Sequence, residues 1–265
     1  MYVVCLLLIA RLSWAQGWWP EARVTEPLTA GQVDWTTGVV RSSARAEAAS
    51  AGGISARRAN AFAAAVQVAR QQLRTAIGQL RLDAGRTVES ALQGAQDKRQ
   101  SLEALVAAAE VVQTRYLPQG AVESTVQVPL FGRLAALLWP ETAAASGPAA
   151  EATSGVYTGI VIDARGLALQ PAVFPRILDE DGQVLYAPES VHTEVAMQQG
   201  YVAYISVIDS PQVESRVGKN PLLLRARRAA GPARVDVVMS RADGPQWQHS
   251  AIRLLLARGR VIIVA

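Results

Sequence analysis

The sequence has one cysteine and two histidines among its 265 residues, which limits the chemistry it can support. Cys5 lies within an apolar run at the N-terminus, so a chain processed after that run would have no disulfide, no thiol nucleophile and no cysteine-bound metal. His192 and His249 are far apart, and neither has nearby acidic residues in the spacing of a metal site. We therefore predict no metal and no cofactor.

Common catalytic and nucleotide-binding motifs are also missing. The chain has no Gly-x-Ser-x-Gly, and Gly218-Lys219-Asn220 lacks both the upstream glycine and the Ser or Thr of a phosphate loop. Aromatic residues make up 6% of the chain, and its formal net charge is a mild +4. Basic clusters at Arg57-Arg58, Lys98-Arg99 and Arg225–Arg228 are scattered, which is typical of solvated faces and helix ends. We predict neither enzymatic activity nor nucleic-acid binding.

The N-terminus has the pattern of an export signal. An apolar run ends near Ala10, and Ser13 and Ala15 place small residues at the positions preferred before a signal-peptidase cut. We therefore predict a signal peptide over residues 1–15 and a periplasmic mature chain. Cys5 precedes the cut and lies inside the apolar run, so lipidation there is not expected. No later run has the ~18 apolar residues of a transmembrane helix.

Composition divides the remaining chain into two parts. Residues 140–154 are small and polar without periodicity, which is typical of a linker. We predict an N-terminal α/β module over 33–139 and a C-terminal α/β module over 155–265. The expected class is α+β, with a mixed or antiparallel sheet packed against helices in each module.

Several elements are predicted from local patterns. The first module combines a strand from Val33, a long helix capped by Ser55, two shorter helical stretches, a hairpin around Pro118-Gln119-Gly120 and a short apolar helix. The second is richer in strands. These include a central strand over 157–163, a hairpin at Asp179-Glu180-Asp181-Gly182, a strand over 222–228 and a buried strand over 261–264. A helix begins near Pro211.

Asp163-Ala164-Arg165-Gly166 is the polar motif that stands out, because it follows an apolar strand. Loops after the carboxyl ends of strands often carry binding sites in α/β proteins, so Asp163 and Arg165 are candidate ligand contacts. The alternative is an ion pair that fixes a turn, with Gly166 at positive φ. Trp18 and Trp19 are candidate contacts for a membrane interface or a protein partner, or they pack on the domain.

The acidic hairpin needs a separate interpretation. Asp179-Glu180-Asp181-Gly182 resembles part of a calcium loop, but the residue where such a loop carries its glutamate is Ser190. We therefore interpret the segment as a hairpin turn.

Two stretches resemble a known group of proteins. Residues 157–167, with Pro171 and the run from Pro175 to Tyr186, are similar to exported bacterial proteins related to flagellar assembly protein T and to the 20-kDa outer-membrane lipoprotein family. The alanine-rich helix over 59–82 is similar as well. The resemblance implies small α/β modules at the outer membrane or flagellar basal body and supplies no catalytic residues. Unlike the lipoproteins, this chain has no lipobox cysteine.

These observations favour a non-catalytic periplasmic structural or assembly protein that acts through protein–protein contacts. Its expected partners are envelope proteins, flagellar basal-body components among them, with peripheral contact to the outer membrane or peptidoglycan. The alternative is a ligand-binding or glycan-processing module centred on Asp163 and Arg165.

Overall fold

The computed structural model describes residues 23–47, 53–140 and 156–265, which form an α+β fold. The predicted signal peptide, Trp18, Trp19 and residues 141–154 of the predicted linker lie outside the described residues. Within the described residues, no helix is both long enough and apolar enough to cross a membrane.

The first half of the described chain is one antiparallel sheet with helices on it. Its elements in chain order are β1 (Thr25–Leu28), β2 (Gly31–Asp34), β3 (Val39–Ala46), α1 (Ile54–Gln79), α2 (Val88–Ala91), α3 (Gln96–Ala107), β4 (Glu110–Tyr116), β5 (Val122–Pro129) and α4 (Arg133–Leu138). The strand order is β1-β2-β3-β5-β4, and α1 packs on β3 and β5. Alternate residues of β5 are buried from Val122 to Val128, so one face of this sheet joins the core and the other is polar.

Local patterns predict this half well. The long helix and the hairpin of β4 and β5 are confirmed. The predicted cap is wrong, because Gly53 and not Ser55 precedes the first turn of α1 and no side chain caps it. The strand predicted from Val33 is interrupted, because Asp34 Oδ1 accepts hydrogen bonds from the Thr36 and Thr37 N–H groups. Gly38 then turns the chain at a φ of 65°.

The second half divides its strands between two sheets. Its elements are β6 (Ile160–Asp163), β7 (Ile177–Leu178), β8 (Val184–Tyr186), α5 (Thr193–Gln199), β9 (Ala203–Ile205), α6 (Pro211–Val217), β10 (Leu222–Arg225), β11 (Arg228–Ala230), β12 (Asp236–Val238), α7 (Gly244–Gln248), α8 (Ser250–Ala257) and β13 (Val261–Val264). One sheet has the order β10-β6-β13-β9 and is parallel throughout. The other, β11-β12-β7-β8, is mixed.

The single strand predicted over 222–228 is wrong. Ala226 donates its N–H to the Asp163 carbonyl in the parallel sheet, whereas the next N–H, from Arg227, goes to the Val238 carbonyl in the mixed sheet. The chain therefore changes sheets between consecutive residues. The hairpin predicted at Gly182 and the helix beginning at Pro211 are confirmed.

The two halves share a continuous core. Trp139 meets Phe174 edge to face with ring centroids 5.4 Å apart, and Trp35 meets Tyr204 at 5.9 Å. The backbone also crosses between the halves, since Gly132 donates its N–H to the Met197 carbonyl at 2.7 Å. Residues from both halves belong to the largest buried apolar cluster.

Candidate functional site

Asp163 and Arg165 lie at the carboxyl edge of the parallel sheet and bind each other. Asp163 is the last residue of β6. Arg165 donates from Nε to Asp163 Oδ1 at 2.9 Å and from Nη2 to Oδ2 at 2.7 Å, and its backbone N–H reaches Oδ1 at 3.1 Å. These hydrogen bonds lower the pKa of Asp163 to about 2. Both carboxylate oxygens are therefore occupied by the arginine two residues away.

The surroundings of this pair support its interpretation as a turn. Gly166 has a φ of 79°, the left-handed conformation expected for the structural alternative. The Arg165 side chain is 52% exposed. Arg225, the register partner of Asp163 on β10, adds a second positive charge that lowers the Asp163 pKa. A ligand at Asp163 would have to displace Arg165, and ligand contact here stays a prediction.

The other candidates from the sequence do not converge on one site. Asp179 Oδ1 accepts hydrogen bonds from the Asp181 and Gln183 N–H groups, so the acidic segment forms the predicted hairpin turn. In the part of the chain that the structure describes, no three His, Cys, Asp or Glu side chains are placed to hold a metal ion. Trp18 and Trp19 lie outside that part.

A more open feature lies along β4, in the antiparallel sheet. This strand is last in its sheet and pairs with β5 on one side only. Its other edge makes no backbone hydrogen bond to any described residue. Val112 at a bulge is 40% exposed and Tyr116 is 63% exposed. An open edge with exposed apolar side chains is unusual in a protein that has no partner.

Helix α1 runs beside β4 and forms a groove with it. One depression of about 450 Å³ lies between Arg58 and Tyr116. A second of about 600 Å³ lies between α1 and α3 and reaches β4 at Val111. Phe62 lines both depressions. We call this surface the α1–β4 groove.

α1 supplies the positive charge of the groove, and Glu103 of α3 also lines the second depression. The 26 residues of α1 include four arginines and no acidic residue: Arg57, Arg58, Arg70 and Arg74. Arg74 pairs with Glu89 and Glu103, whose hydrogen bonds raise its pKa. Arg57 and Arg58 have no acidic partner among the described residues.

Two arginines are held against the groove walls. The Arg58 guanidinium lies over the Tyr116 ring at 5.9 Å from its centroid. Arg70 donates from Nη2 to the Ala109 carbonyl at 3.3 Å, while its buried Nε has no hydrogen-bond partner in the described structure. The groove therefore combines an apolar floor with unneutralised positive charge.

The sequence alone does not indicate this groove. The Arg57-Arg58 cluster is typical of a solvated face or helix end, and the residues of β4 predict one half of an ordinary hairpin. The available signal was the absence of acidic residues along a long helix that carries four arginines. What the sequence could not supply was the strand order that leaves β4 at the edge.

The C-terminal half is similar to a domain found elsewhere. Residues 159–265, less than half of the chain, match the family described as the second domain of Treponema pallidum Tp0624. The match lies within the predicted C-terminal module and begins one residue before β6. No curated protein matches the chain.

Proposed function

We propose that this chain is a non-catalytic structural or assembly protein of the bacterial envelope that acts through protein–protein contacts. The observation that carries the proposal is the open edge of β4 beside the α1–β4 groove. Strand edges are normally covered, shortened or charged, because their free N–H and C=O groups pair readily with other chains. A seven-residue edge flanked by exposed Val112 and Tyr116 fits a protein that works by binding another.

The envelope location rests on the sequence. Residues 1–15 have the pattern of a cleavable signal peptide, and the resemblance over 157–186 is to exported proteins of flagellar assembly and the outer membrane. The C-terminal match to a Treponema pallidum domain is compatible with a bacterial origin. We include the flagellar basal body among the proposed sites of action because of the resemblance alone.

The second candidate is a ligand-binding or glycan-processing module at Asp163 and Arg165. Its support is position, because the carboxyl edge of a parallel sheet is a common place for ligands. It is the weaker proposal, since each Asp163 carboxylate oxygen accepts a hydrogen bond from Arg165. Asp163→Asn should leave partner binding unchanged if the first proposal is correct.

Site-specific photo-crosslinking in the native cells, followed by fractionation, tests the proposed function. A photo-reactive amino acid is placed at Val112 in β4 or, as a matched control, at Val184. Val184 is also an exposed valine on the outermost strand of a sheet. We expect protein adducts from position 112 and few from position 184, in the periplasmic or outer-membrane fraction. The absence of adducts at 112, or recovery only from cytosol with an intact N-terminus, would reject the proposal.

A further inference from the structure

We infer that the α1–β4 groove binds an extended, acidic peptide segment of a partner protein, which pairs with β4 as a sixth strand of the sheet. This inference rests on the proposed function and adds the chemistry and conformation of the partner. Three properties of the groove carry it: a backbone edge that no described residue pairs with, depressions that reach β4 at Val111 and at Tyr116, and arginines of α1 that have no acidic partner among the described residues.

The backbone edge of β4 favours an extended conformation of the bound segment. β4 spans Glu110–Tyr116, which corresponds to roughly 23 Å of strand. Along α1, the distance from Arg58 to Arg70 corresponds to roughly 18 Å of helix. A strand of five to seven residues therefore fits between the ends of the groove. Backbone hydrogen bonding to such an edge supplies affinity without requiring a particular sequence.

The depressions determine which positions of the bound segment would carry apolar side chains. Phe62 and Val66 of α1 and Val111 of β4 form the floor on the α1 side of the sheet. Successive side chains of an added strand point to opposite faces. Alternate residues of the bound segment would therefore contact this floor, and the residues between them would face the polar side of the sheet.

The positive charge of the groove favours a partner segment that carries negative charge. α1 contributes no carboxylate to the groove, and Glu103 is already bound by Arg74 at 2.9 Å. Among the described residues, Arg58 beside Tyr116 and Arg70 beside Ala109 have no acidic partner. Acidic residues at the α1-facing positions near the two ends of a bound segment would neutralise them.

The same charge makes a second copy of this chain an unfavourable occupant. Edge-to-edge pairing of two β4 strands would bring two identical arginine-rich helices together. A partner of opposite charge is therefore favoured over a homodimer.

Fluorescence anisotropy with a labelled seven-residue peptide tests the inference on the full chain. Its odd-numbered positions, which share one face of a strand, carry Glu, Val, Val and Glu, and its even-numbered positions carry serine. We expect saturable binding that weakens as salt is raised, and weaker binding of the matched peptide with lysine in place of glutamate. Arg58→Glu should weaken binding about tenfold, and adding Arg70→Glu should weaken it further. Arg228→Glu is the matched charge reversal in the other half and should leave binding unchanged, because exposed Arg228 lies on β11.

Each part of the inference can fail separately. If circular dichroism shows that the double variant is unfolded, exposed Arg58→Glu alone decides the charge effect. Equal binding of the glutamate and lysine peptides would overturn the inference that the partner segment is acidic. N-methylation of alternate peptide bonds, tested in both registers, removes the N–H groups that would pair with β4. If binding is undiminished, the inference of strand addition is overturned. Crosslinks at Val112 without binding of any peptide would reject this inference while leaving the proposed function standing.

Discussion

The Arg176 guanidinium donates two hydrogen bonds to one carboxylate oxygen of Asp236, from Nη2 at 2.6 Å and from Nε at 3.1 Å. The Asp236 side chain is 1% exposed, whereas that of Arg176 is 47% exposed. Arg165 also uses Nε and Nη2 to bind Asp163, but that carboxylate is 28% exposed. The two pairs thus share their donor atoms and differ in how far the anion is removed from water.

We predict that Arg176→Met lowers the free energy of unfolding by about 3 kcal/mol, because a buried carboxylate loses its compensating charge. The matched change Arg165→Met should shift the urea midpoint only slightly, since water can solvate Asp163. Urea denaturation at neutral pH measures both. Equal losses in the two variants would show that burial of the anion is not the deciding factor.

Phe131 is held between two glycines, one from each half of the chain. A Cβ atom added at Gly38 or at Gly200 would collide with its ring. We predict that Gly200→Ala destabilises the protein by about 2–4 kcal/mol, from left-handed strain together with overpacking.

Gly182→Ala is the matched control for this substitution. Gly182 and Gly200 both have a φ of 82°, but a Cβ at Gly182 meets nothing within 4 Å. Gly182→Ala should lower the free energy of unfolding by about 1 kcal/mol, because it adds backbone strain without a steric collision. Thermal denaturation compares the two, and similar losses would contradict the steric role of Phe131.

The shared core predicts how the described halves unfold. Because the partly buried Trp139 contacts the buried Phe174 ring across the shared core, we expect one cooperative transition rather than two. Phe174→Ala should lower the stability of the whole protein by about 3–5 kcal/mol, and the transition should stay single. Calorimetry, with Val207→Ala at an exposed position as the control, measures this. Two well-separated transitions would mean that the halves are energetically independent.

Three buried tyrosines predict sensitivity to alkali. Burial raises the pKa values of Tyr186, Tyr201 and Tyr204 above the ordinary value of 10. Because the folded state then favours the protonated phenol, the associated stability is present below pH 10 and is lost as the pH rises above it. Phenolate absorbance from these tyrosines should therefore appear together with unfolding.

Tyr201→Phe separates the titration from packing. The Tyr201 hydroxyl is buried and has no hydrogen-bond partner among the described residues, so its removal should not destabilise the protein at neutral pH. It should make the loss of stability with rising alkaline pH less steep. An unchanged alkaline profile would assign that loss to other groups.

Short-range patterns predicted many individual elements of the fold. Ser210 accepts the hydrogen bond from the Gln212 N–H that caps α6, just before Pro211 at its first turn. The Asp179 turn and the continuous apolar run of β6 were equally local. These features depend on residues close in the sequence, so composition and spacing suffice to identify them.

The candidate site was harder to predict because it depends on strand order. Nothing between Glu110 and Tyr116 indicates that this strand pairs on one side only, and nothing near Arg58 indicates that Tyr116 lies beneath it. The Asp163 and Arg165 pair was anticipated as one of two alternatives, because its partners are two residues apart. Its position beside Arg225 required the parallel pairing of β6 and β10.

The sequence by itself determined the α+β class, most helices and hairpins, and the shortage of groups for thiol or metal chemistry, because each depends on composition or on neighbours within a few residues. Only the tertiary structure decided that the chain changes sheets between Ala226 and Arg227 and that Phe131 is held by glycines from both halves. It also decided that β4 pairs with β5 alone among the described strands, beside a basic helix. Those outcomes follow from packing between residues far apart in the chain, where burial of apolar surface, and not local preference, selects the arrangement.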